Sequence, residues 1–288
     1  MKKKRYTVIL VIVCIIVFAL ILVMHNRYMK NSIDLSQLSN TEITELHSIK
    51  YIELPSKTEK GHVFTATGIS YDPKINQFLI GNYGKANRKN SDSNPSIINM
   101  DFEFSQITKE LYFDNQEKVI QGIAYDEFND SIWYTDGNMV INSTKDRDGI
   151  ISSFDIGKYS KYQANGICID ARDNSLWVLC MYHYLLNFKK DGSLINAYEC
   201  DYIGQDHICI DEEGNIYISA GIDYDGSDNF VVCFSEDIKP KKIYRVNGSY
   251  AIEGILVMDS KLYVVNDGIY HDAKIKNNYI QEYLLTED

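Results

Sequence analysis

Gly166-Ile-Cys-Ile-Asp170 is followed, four residues later, by Ser175-Leu-Trp-Val178. This pair of short apolar segments, the first ending in aspartate, occurs five times in the chain. The copies begin between 41 and 54 residues apart, at Gly68, Gly122, Gly166, His207 and Gly254. Repeats of about 40–50 residues that are built from short strands are typical of β-propellers. The sequence therefore predicts an all-β fold in which each copy forms one blade.

Five copies predict five blades, each a four-stranded antiparallel sheet whose first strand lines the central channel. The last copy supplies only three strands, at Gly254–Met258, Lys261–Val265 and Tyr279–Leu285. We predict that Ser48–Leu54 completes this blade, because joining the ends of the ring removes the exposed strand edges that an open ring would leave. A six-bladed ring is the alternative, if a divergent blade lies in the long interval between the first two copies.

The repeats also predict local details. In the second copy we expect strands at Gly122–Asp126, Ser131–Thr135, Gly149–Asp155 and Lys158–Gln163. The aspartate that ends each first strand is expected to open a tight turn, in which its carboxylate accepts backbone N–H bonds. Trp133 and Trp177 hold equivalent second-strand positions and are expected to pack between blades. The five cysteines beyond residue 30 are an odd number, so we expect buried thiols rather than a disulfide framework.

The first thirty residues differ in composition from the rest. A basic cluster at residues 2–5 precedes an uncharged apolar run from Tyr6 to Met24, and a helix of that length nearly spans a hydrocarbon core about 30 Å thick. No small-residue cleavage site follows, so we predict an uncleaved signal anchor, with cleavage as the alternative. The basic cluster favours a single-pass plasma-membrane protein whose bulk is extracytoplasmic. Residues 1–30 are then the tail and transmembrane helix, 31–48 a polar stalk and 49–288 the propeller.

Charge limits the partners of the outer region. Six of the 29 Lys and Arg residues, and none of the 40 Asp and Glu residues, lie in the first thirty positions, so residues 31–288 carry a net charge of −17. Such a surface repels phosphate backbones, which argues against nucleic acid as a partner. Cations, cationic peptides and neutral glycans fit this charge better.

The residue just before each inner strand should sit at the mouth of the central channel. These five positions are all polar: Thr67, Gln121, Asn165, Asp206 and Glu253. Five oxygen-bearing side chains around one axis could hold a hard cation such as Ca²⁺. Ordered water and direct contact with a ligand are the alternatives.

The loops between second and third strands should surround the same face. Together with Thr67 and Gln121, the candidate ligand-binding residues there are Tyr83, Asp136, Tyr182, His183, His207, Asp267 and His271. Aromatic rings combined with amides and carboxylates in one concave face suit a peptide, a glycan or another small molecule. The chain contains no nucleophile elbow, zinc-protease helix, paired Cys-x-x-Cys or phosphate-binding glycine loop, so no catalytic set is indicated by motif.

Across the outer region, the phrase Gly-Ile-x-x-Asp, a turn and then Ile-Trp or Ile-Tyr resembles the NHL-repeat and SdiA-regulated propeller proteins. Asp206-His-Ile-Cys-Ile-Asp-Glu-Glu-Gly-Asn-Ile-Tyr217 is also similar to a stretch of the gluconolactonase-like propellers. A fainter similarity, through Phe64-Thr65 and Gly81-Asn-Tyr-Gly84, is to the five-bladed glutaminyl cyclases.

The gluconolactonase-like resemblance implies a divalent metal. Its ligands would be Asn165, Asp206 and Glu253, which precede the first residue of their motifs as the metal ligands of that family do. Such a metal would polarise a lactone carbonyl and activate water. The sequence therefore supports two hypotheses about function. The first is a membrane-anchored extracytoplasmic propeller that binds a peptide, glycan or other envelope ligand, and the second is a metal-dependent, lactonase-like hydrolase.

Overall fold

The computed structural model of the chain describes residues 31–32, 35–87, 89, 94–113, 119–146, 148–181, 184–200, 206–220, 224–225 and 228–285, with side chains from residue 38 onward. The predicted tail and anchor at residues 1–30 lie outside these ranges. Within them, no helix has both the length and the apolar character that crossing a membrane requires.

The described residues form five sheets around one axis, which confirms the five-bladed β-propeller rather than the six-bladed alternative. The N-terminal segment contains β1 (Asn31–Ser32), a 3-10 helix (Leu35–Asn40), β2 (Ile43–His47) and β3 (Lys50–Glu53). Blade 1 contains β4 (Ala66–Asp72), β5 (Gln77–Asn82), β6 (Ser96–Asp101) and β7 (Ile107–Tyr112). Blade 2 contains β8 (Ile123–Asp126), β9 (Ser131–Asp136), β10 (Met139–Thr144) and β11 (Ile150–Asp155).

The remaining blades follow the same order from the axis outward. Blade 3 contains β12 (Ala164–Asp170), β13 (Ser175–Cys180), β14 (Tyr184–Phe188) and β15 (Leu194–Glu199). Blade 4 contains β16 (Ile208–Ile210), β17 (Ile216–Ala220), β18 (Phe230–Phe234) and β19 (Pro240–Asn247). Blade 5 contains β20 (Ile252–Met258), β21 (Lys261–Asp267) and β22 (Asn278–Leu284), and β3 is its outermost strand.

The N-terminal segment closes the ring as the sequence predicts. Strand β3 pairs antiparallel with β22, so that Tyr51 lies opposite Gln281. The ring of Tyr51 stacks on Tyr279 with the centroids 5.1 Å apart. Because β3 and β22 come from opposite ends of the propeller sequence, this pairing joins the first blade to the last and leaves no gap in the ring.

Two further strands lie outside blades 3 and 4. Strand β1 pairs parallel with β15, and β2 pairs parallel with β19. Leu46 of β2 is buried between the blades, and Glu45 accepts a hydrogen bond of 2.6 Å from Arg245. Residues 43–47, which fall within the predicted stalk, are therefore attached to the rim of the propeller.

The outer half of blade 2 differs from the prediction. The third strand is β10, which the sequence analysis missed, and Gly149–Asp155 corresponds to the fourth strand rather than the third. Residues 158–163 form no strand. A two-residue turn at Gly137, whose φ of 59° suits glycine, returns the chain directly from β9 into β10. Strand β10 is covered on both faces, so its sequence lacks the alternation of polar and apolar residues that identifies a strand.

The inner strands approach one another at the first residue of each motif. A Cβ atom at Gly122 would lie 2.5 Å from the carbonyl oxygen of Asn165, and one at Gly254 would lie 2.5 Å from that of Thr67. Four of the five motifs have glycine at this position, and the fifth has His207, which is 1 % exposed. The inner strands therefore pack closely against one another at this level, and an imidazole is buried there.

Several local predictions are confirmed. The carboxylates of Asp72, Asp126, Asp170 and Asp211 each accept a backbone N–H bond from the turn that follows. Trp133 packs into the apolar cluster shared with blade 3, and Trp177 packs into the cluster shared with blade 4. The cysteines that the structure describes are buried and carry free thiols.

Candidate ligand-binding site

A cavity of about 300 Å³ opens at the end of the axis where the inner strands begin. We call it the mouth cavity. Residues of all five blades line it: Thr65, Thr67, Tyr83, Gln121, Gln163, Met181, Asp206, Tyr224, Glu253, Asp267, Tyr270 and His271. A larger cavity, of about 420 Å³, lies between blades 4 and 5 and collects side chains from those two blades and the chain that follows them. All five blades contribute side chains to the mouth cavity, so it is the better candidate for a binding site.

Irregularities in the inner strands present the polar residues to the axis. The pairing of β20 with β21 shifts register between Ile252 and Gly254, so that Glu253 is an extra residue in the strand. The same shift surrounds Asn165 in β12 and Thr67 in β4. A β-bulge redirects a side chain out of the regular alternation, and bulges are common beside functional sites. This explains how Thr67 and Glu253, which precede motif glycines, can face the mouth cavity.

The structure brings most of the predicted site residues together. Seven line the mouth cavity: Thr67, Tyr83, Gln121, Asp206, Glu253, Asp267 and His271. Asn165 is behind this wall, and its Nδ2 donates a hydrogen bond of 2.8 Å to Asp206 Oδ1. His207 is buried at the axis next to Asp206.

Three other predicted residues are not in the described lining. Asp136 lies outside it and accepts a hydrogen bond of 3.2 Å from the backbone N–H of Val119. Tyr182 and His183 are outside the described residues.

Sequence reasoning missed Gln163, Met181, Thr65 and Tyr224 as residues of the cavity. A repeat relationship could have identified the first two. The N–H of Met181 bonds to the carbonyl of Gln163 at 2.9 Å, as the N–H of Tyr83 bonds to that of Thr65 at 2.9 Å. Met181 and Tyr83 each lie one residue after the second strand of their blade, and Gln163 and Thr65 each lie three residues before the first glycine of their motif. Tyr224 lies in a loop of blade 4, and no repeat pattern marks it.

The loop that carries Tyr270 and His271 folds back tightly on itself. The N–H of Gly268 bonds to the carbonyl of Asn277 at 3.1 Å. A Cβ atom at Gly268 would lie 1.7 Å from the carbonyl oxygen of Ile275, so only glycine allows this path. The N–H of Lys274 also bonds to the carbonyl of Tyr224 at 2.9 Å, which holds the loops of blades 4 and 5 together.

The imidazole of His271 is held by its neighbours on several sides. Its Nε2 lies 2.8 Å from Oε1 of Glu253. The ring of Tyr224 stacks against it with centroids 4.4 Å apart, and the ring of Tyr270 meets it edge-on at 5.0 Å. The side chains of His271 and Glu253 are 11 % and 12 % exposed, so this pair is largely shielded from water.

Two carboxyl groups of the cavity have raised pKa values. Burial, followed by repulsion from Glu253, raises the pKa of Asp267 to about 7, although the N–H groups of Ile269 and Tyr270 donate to its Oδ1. Burial also raises the pKa of Asp206, against the effects of Asn165 and His271. Among the lining residues that the structure describes, none is lysine or arginine. The mouth cavity is therefore a place where added positive charge would be stabilising.

Tyrosine rings give the mouth cavity apolar surface in addition to its acidic groups. Tyr83 meets Tyr270 edge-on with centroids 5.4 Å apart. Burial and the neighbouring Tyr270 raise the pKa of Tyr83 to about 12, so its phenol stays protonated and can act as a hydrogen-bond donor at neutral pH. The cavity thus combines flat apolar faces with acidic and amide groups.

One subset of the lining has donor atoms suited to a metal. Ligand atoms of Glu253, Asp267 and His271 all lie within 4.8 Å of one another. This group shares only Glu253 with the set implied by the gluconolactonase-like resemblance. Asp206 lines the same cavity as His271, and Asn165 contacts the site through Asp206.

Comparisons with known proteins agree on the fold. No model of a known protein family matches the chain, and no curated protein matches it. Among solved structures, the chain is similar to the glutaminyl cyclase of Myxococcus xanthus, with 10 % identity, a TM-score of 0.59 and coverage of 84 % of this chain and 96 % of that one. It is also similar to a chain of the nidogen/laminin complex, with 14 % identity, a TM-score of 0.51 and coverage of 75 % and 84 %. At these identities the similarity shows the fold, so the protein is a five-bladed β-propeller, and an NHL-repeat or SdiA-regulated assignment is not confirmed.

Proposed function

We propose that this propeller is a binding module whose mouth cavity takes a small neutral or cationic ligand, such as a peptide, a glycan or another envelope component. The observation that carries this proposal is the convergence of side chains from all five blades on one cavity. A site built from scattered parts of a rigid ring is organised before the ligand arrives, which reduces the entropic cost of binding.

The composition of the cavity supports this ligand class. Three carboxyl groups, from Asp206, Glu253 and Asp267, disfavour an anionic ligand and favour an ammonium group. The rings of Tyr83, Tyr224 and Tyr270 offer faces on which a sugar ring or a peptide side chain can pack. Amide side chains such as Gln121 can both donate and accept hydrogen bonds from a neutral ligand.

The proposed setting is the outer face of a plasma membrane. It rests on the basic cluster at residues 2–5 and on the apolar run from Tyr6 to Met24. A reporter fusion after residue 288 tests it, because alkaline phosphatase is active only outside the cytoplasm. Activity of that fusion, lost when residues 1–30 are removed, is the expected result.

Ligand-observed NMR with the full chain tests binding directly. The panel contains tripeptides with free amino termini, neutral oligosaccharides and succinylated, anionic versions of the tripeptides. Tripeptides that begin with glutamine belong to it, because one protein of similar fold is a glutaminyl cyclase. We expect binding of neutral or cationic probes and none of the anionic ones.

Two variants locate the binding. Tyr270→Ala should weaken it about tenfold or more, as loss of a stacking contact and its buried area does. Phe128→Ala is the matched control, because Phe128 is 66 % exposed and lies outside the mouth cavity. Failure of every probe to bind, or equal effects of the two variants, would contradict the proposal.

A metal-dependent lactonase-like hydrolase is the second candidate. The grouping of Glu253, Asp267 and His271 favours it, because carboxylates and imidazole are ligands of hydrolytic metal centres. Hydrolysis of γ- and δ-lactones by the purified chain, abolished by chelation and restored by a divalent ion, is the expected behaviour of such an enzyme. Tight binding of a probe without any metal-dependent turnover would favour the binding module.

A further inference from the structure

Three side chains of blade 5 are arranged as the ligands of a single ion. Oxygen or nitrogen atoms of Glu253, Asp267 and His271 lie within 4.8 Å of one another. Ligand atoms that share an ion at about 2.0–2.2 Å are separated by roughly 3–4.5 Å. The three groups therefore need only small side-chain adjustments to coordinate a common centre.

A cation would offset the negative charge that is concentrated around these three side chains. Asp267 is 1 % exposed, and the side chain of Glu253 is 12 % exposed. Asp206 adds a third carboxyl group to the same cavity, and the described lining contains no lysine or arginine. Glu253 is paired with His271 at 2.8 Å, but carboxyl groups that are buried close together still repel one another when ionised, and a bound cation relieves that repulsion.

The ligand atoms are also oriented by surrounding contacts. The N–H groups of Ile269 and Tyr270 bond to Oδ1 of Asp267 at 3.1 and 2.9 Å. The stacked ring of Tyr224 fixes the plane of the His271 imidazole. Groups that orient metal ligands in this way are a regular feature of metal centres, because they lower the cost of assembling the site.

Two oxygen atoms nearby are available for a ligand or for metal-bound water. Asn165 is 1 % exposed, and its Nδ2 donates to Asp206. Neither its Oδ1 nor the buried Oε1 of Gln121 has a hydrogen-bond partner among the described residues. Because buried polar atoms normally have partners, the oxygen of Gln121, which lines the mouth cavity, is a second sign that a polar group belongs there.

We propose that Glu253, Asp267 and His271 bind one divalent transition-metal ion, for which Zn²⁺ is the probe. An imidazole ligand favours Zn²⁺ and its neighbours in the transition series over Ca²⁺ and Mg²⁺, which prefer oxygen ligands alone. Three protein ligands leave further coordination positions, toward Asp206 and the open cavity. This site needs no organic ligand, so it is tested independently of the proposed binding function.

The test is isothermal titration of the full chain, stripped with a chelator and dialysed, with Zn²⁺, Mn²⁺, Ca²⁺ or Mg²⁺ alone. We expect one equivalent of Zn²⁺ to bind with a micromolar or tighter Kd, and Ca²⁺ and Mg²⁺ to bind at least a hundredfold more weakly. Glu253→Gln, Asp267→Asn and His271→Gln should each weaken Zn²⁺ binding tenfold or more. X-ray absorption of the Zn²⁺-loaded wild-type chain should show one imidazole nitrogen among oxygen ligands.

A matched control and a competing ligand set complete the design. Glu212→Gln removes one acid from the larger cavity between blades 4 and 5 and should leave Zn²⁺ binding unchanged. The set implied by the gluconolactonase-like resemblance predicts instead that Asn165→Ala abolishes binding while His271→Gln does not. That pattern, a spectrum without imidazole, or the absence of stoichiometric Zn²⁺ binding would overturn the proposal. The spectrum and the stoichiometry are measured on the wild-type chain, so they test the proposal even if a variant fails to fold.

Discussion

The imidazole Nδ1 of His207 accepts a hydrogen bond of 3.3 Å from the backbone N–H of Ile255, which joins blade 4 to blade 5 beside the axis. His207 takes the position that glycine holds in the other four motifs. Its Nε2 has no hydrogen-bond partner among the described residues. A buried, neutral imidazole at this level of the channel has consequences for stability that can be measured.

The stability of the fold should depend on the protonation of His207. Burial lowers the pKa of this histidine to about 4, from an ordinary value of 6.5. Between these values the unfolded chain binds a proton that the folded chain excludes, so the free energy of unfolding falls as the pH drops from about 6.5 to 4. A shift of this size corresponds to about 3 kcal/mol.

Urea unfolding of wild type and His207→Gln at pH 7 and pH 4.5 measures the effect. The comparison between the two chains is needed because Asp267, whose pKa is raised to about 7, favours the folded state as the pH falls. We expect the wild type to lose about 2 kcal/mol more than the variant over this range. An equal loss of free energy in both chains would show that folding does not lower the pKa of His207.

Substitution of Gly68 should disturb the contact between blades 1 and 2. A Cβ atom there would lie 2.6 Å from both the carbonyl oxygen of Gln121 and Nε2 of His207. Because backbone on one side cannot yield easily, we expect Gly68→Ala to lower the free energy of unfolding by about 2–3 kcal/mol. Gly149→Ala is the control, since no atom lies within 4 Å of its Cβ position. Similar midpoints for both variants in chemical denaturation would refute the tight approach of the inner strands.

The pair of Asp126 and Lys190 should be a strong link between blades 2 and 3. Nζ of Lys190 lies 2.6 Å from Oδ2 of Asp126, and these side chains are 17 % and 0 % exposed. Trp133 Nε1 donates to the same oxygen at 3.3 Å. Removing one member of a buried pair leaves the other charge without its partner, so we expect Asp126→Asn to cost about 3 kcal/mol.

A double-mutant cycle with Lys190→Met tests this link. We expect the double variant to be more stable than the sum of the single changes predicts, by about 1 kcal/mol or more. The ion pair between Lys109 and Asp146 serves as the control, because its side chains are 45 % and 62 % exposed. Asp146→Asn should cost less than about 0.5 kcal/mol. Additive effects at the buried pair would argue against a direct contact.

Truncation should separate the rim strands from the strand that closes the ring. Deleting residues 1–47 removes β1 and β2 but leaves β3 paired with β22, so we expect a folded propeller of reduced stability. Deleting residues 1–54 also removes β3 and exposes the edge of blade 5. We expect that shorter chain to unfold or aggregate. Circular dichroism and size-exclusion chromatography distinguish the two results, and a well-folded monomer lacking residues 1–54 would contradict the closure.

The sequence by itself determined the blades, because each repeat encodes its own short strands and turns within about 45 residues. The five motifs, the turn role of residues such as Asp126 and the closing role of Ser48–Leu54 could all be predicted from local pattern. Strand β10 could not, because a strand buried on both faces carries no alternation.

Only the tertiary structure decided how the mouth cavity is composed. The sequence placed polar residues such as Glu253 at the channel, because their position relative to each motif repeats. It could not place the imidazole of His271 against Glu253, or Tyr224 against His271. Those contacts depend on the paths of two loops from different blades, which are set by Gly268 and by the bond from Lys274 to Tyr224. Loop conformations follow from long-range contacts rather than from a repeated local pattern, and for that reason the donor group of Glu253, Asp267 and His271 became visible only in the folded chain.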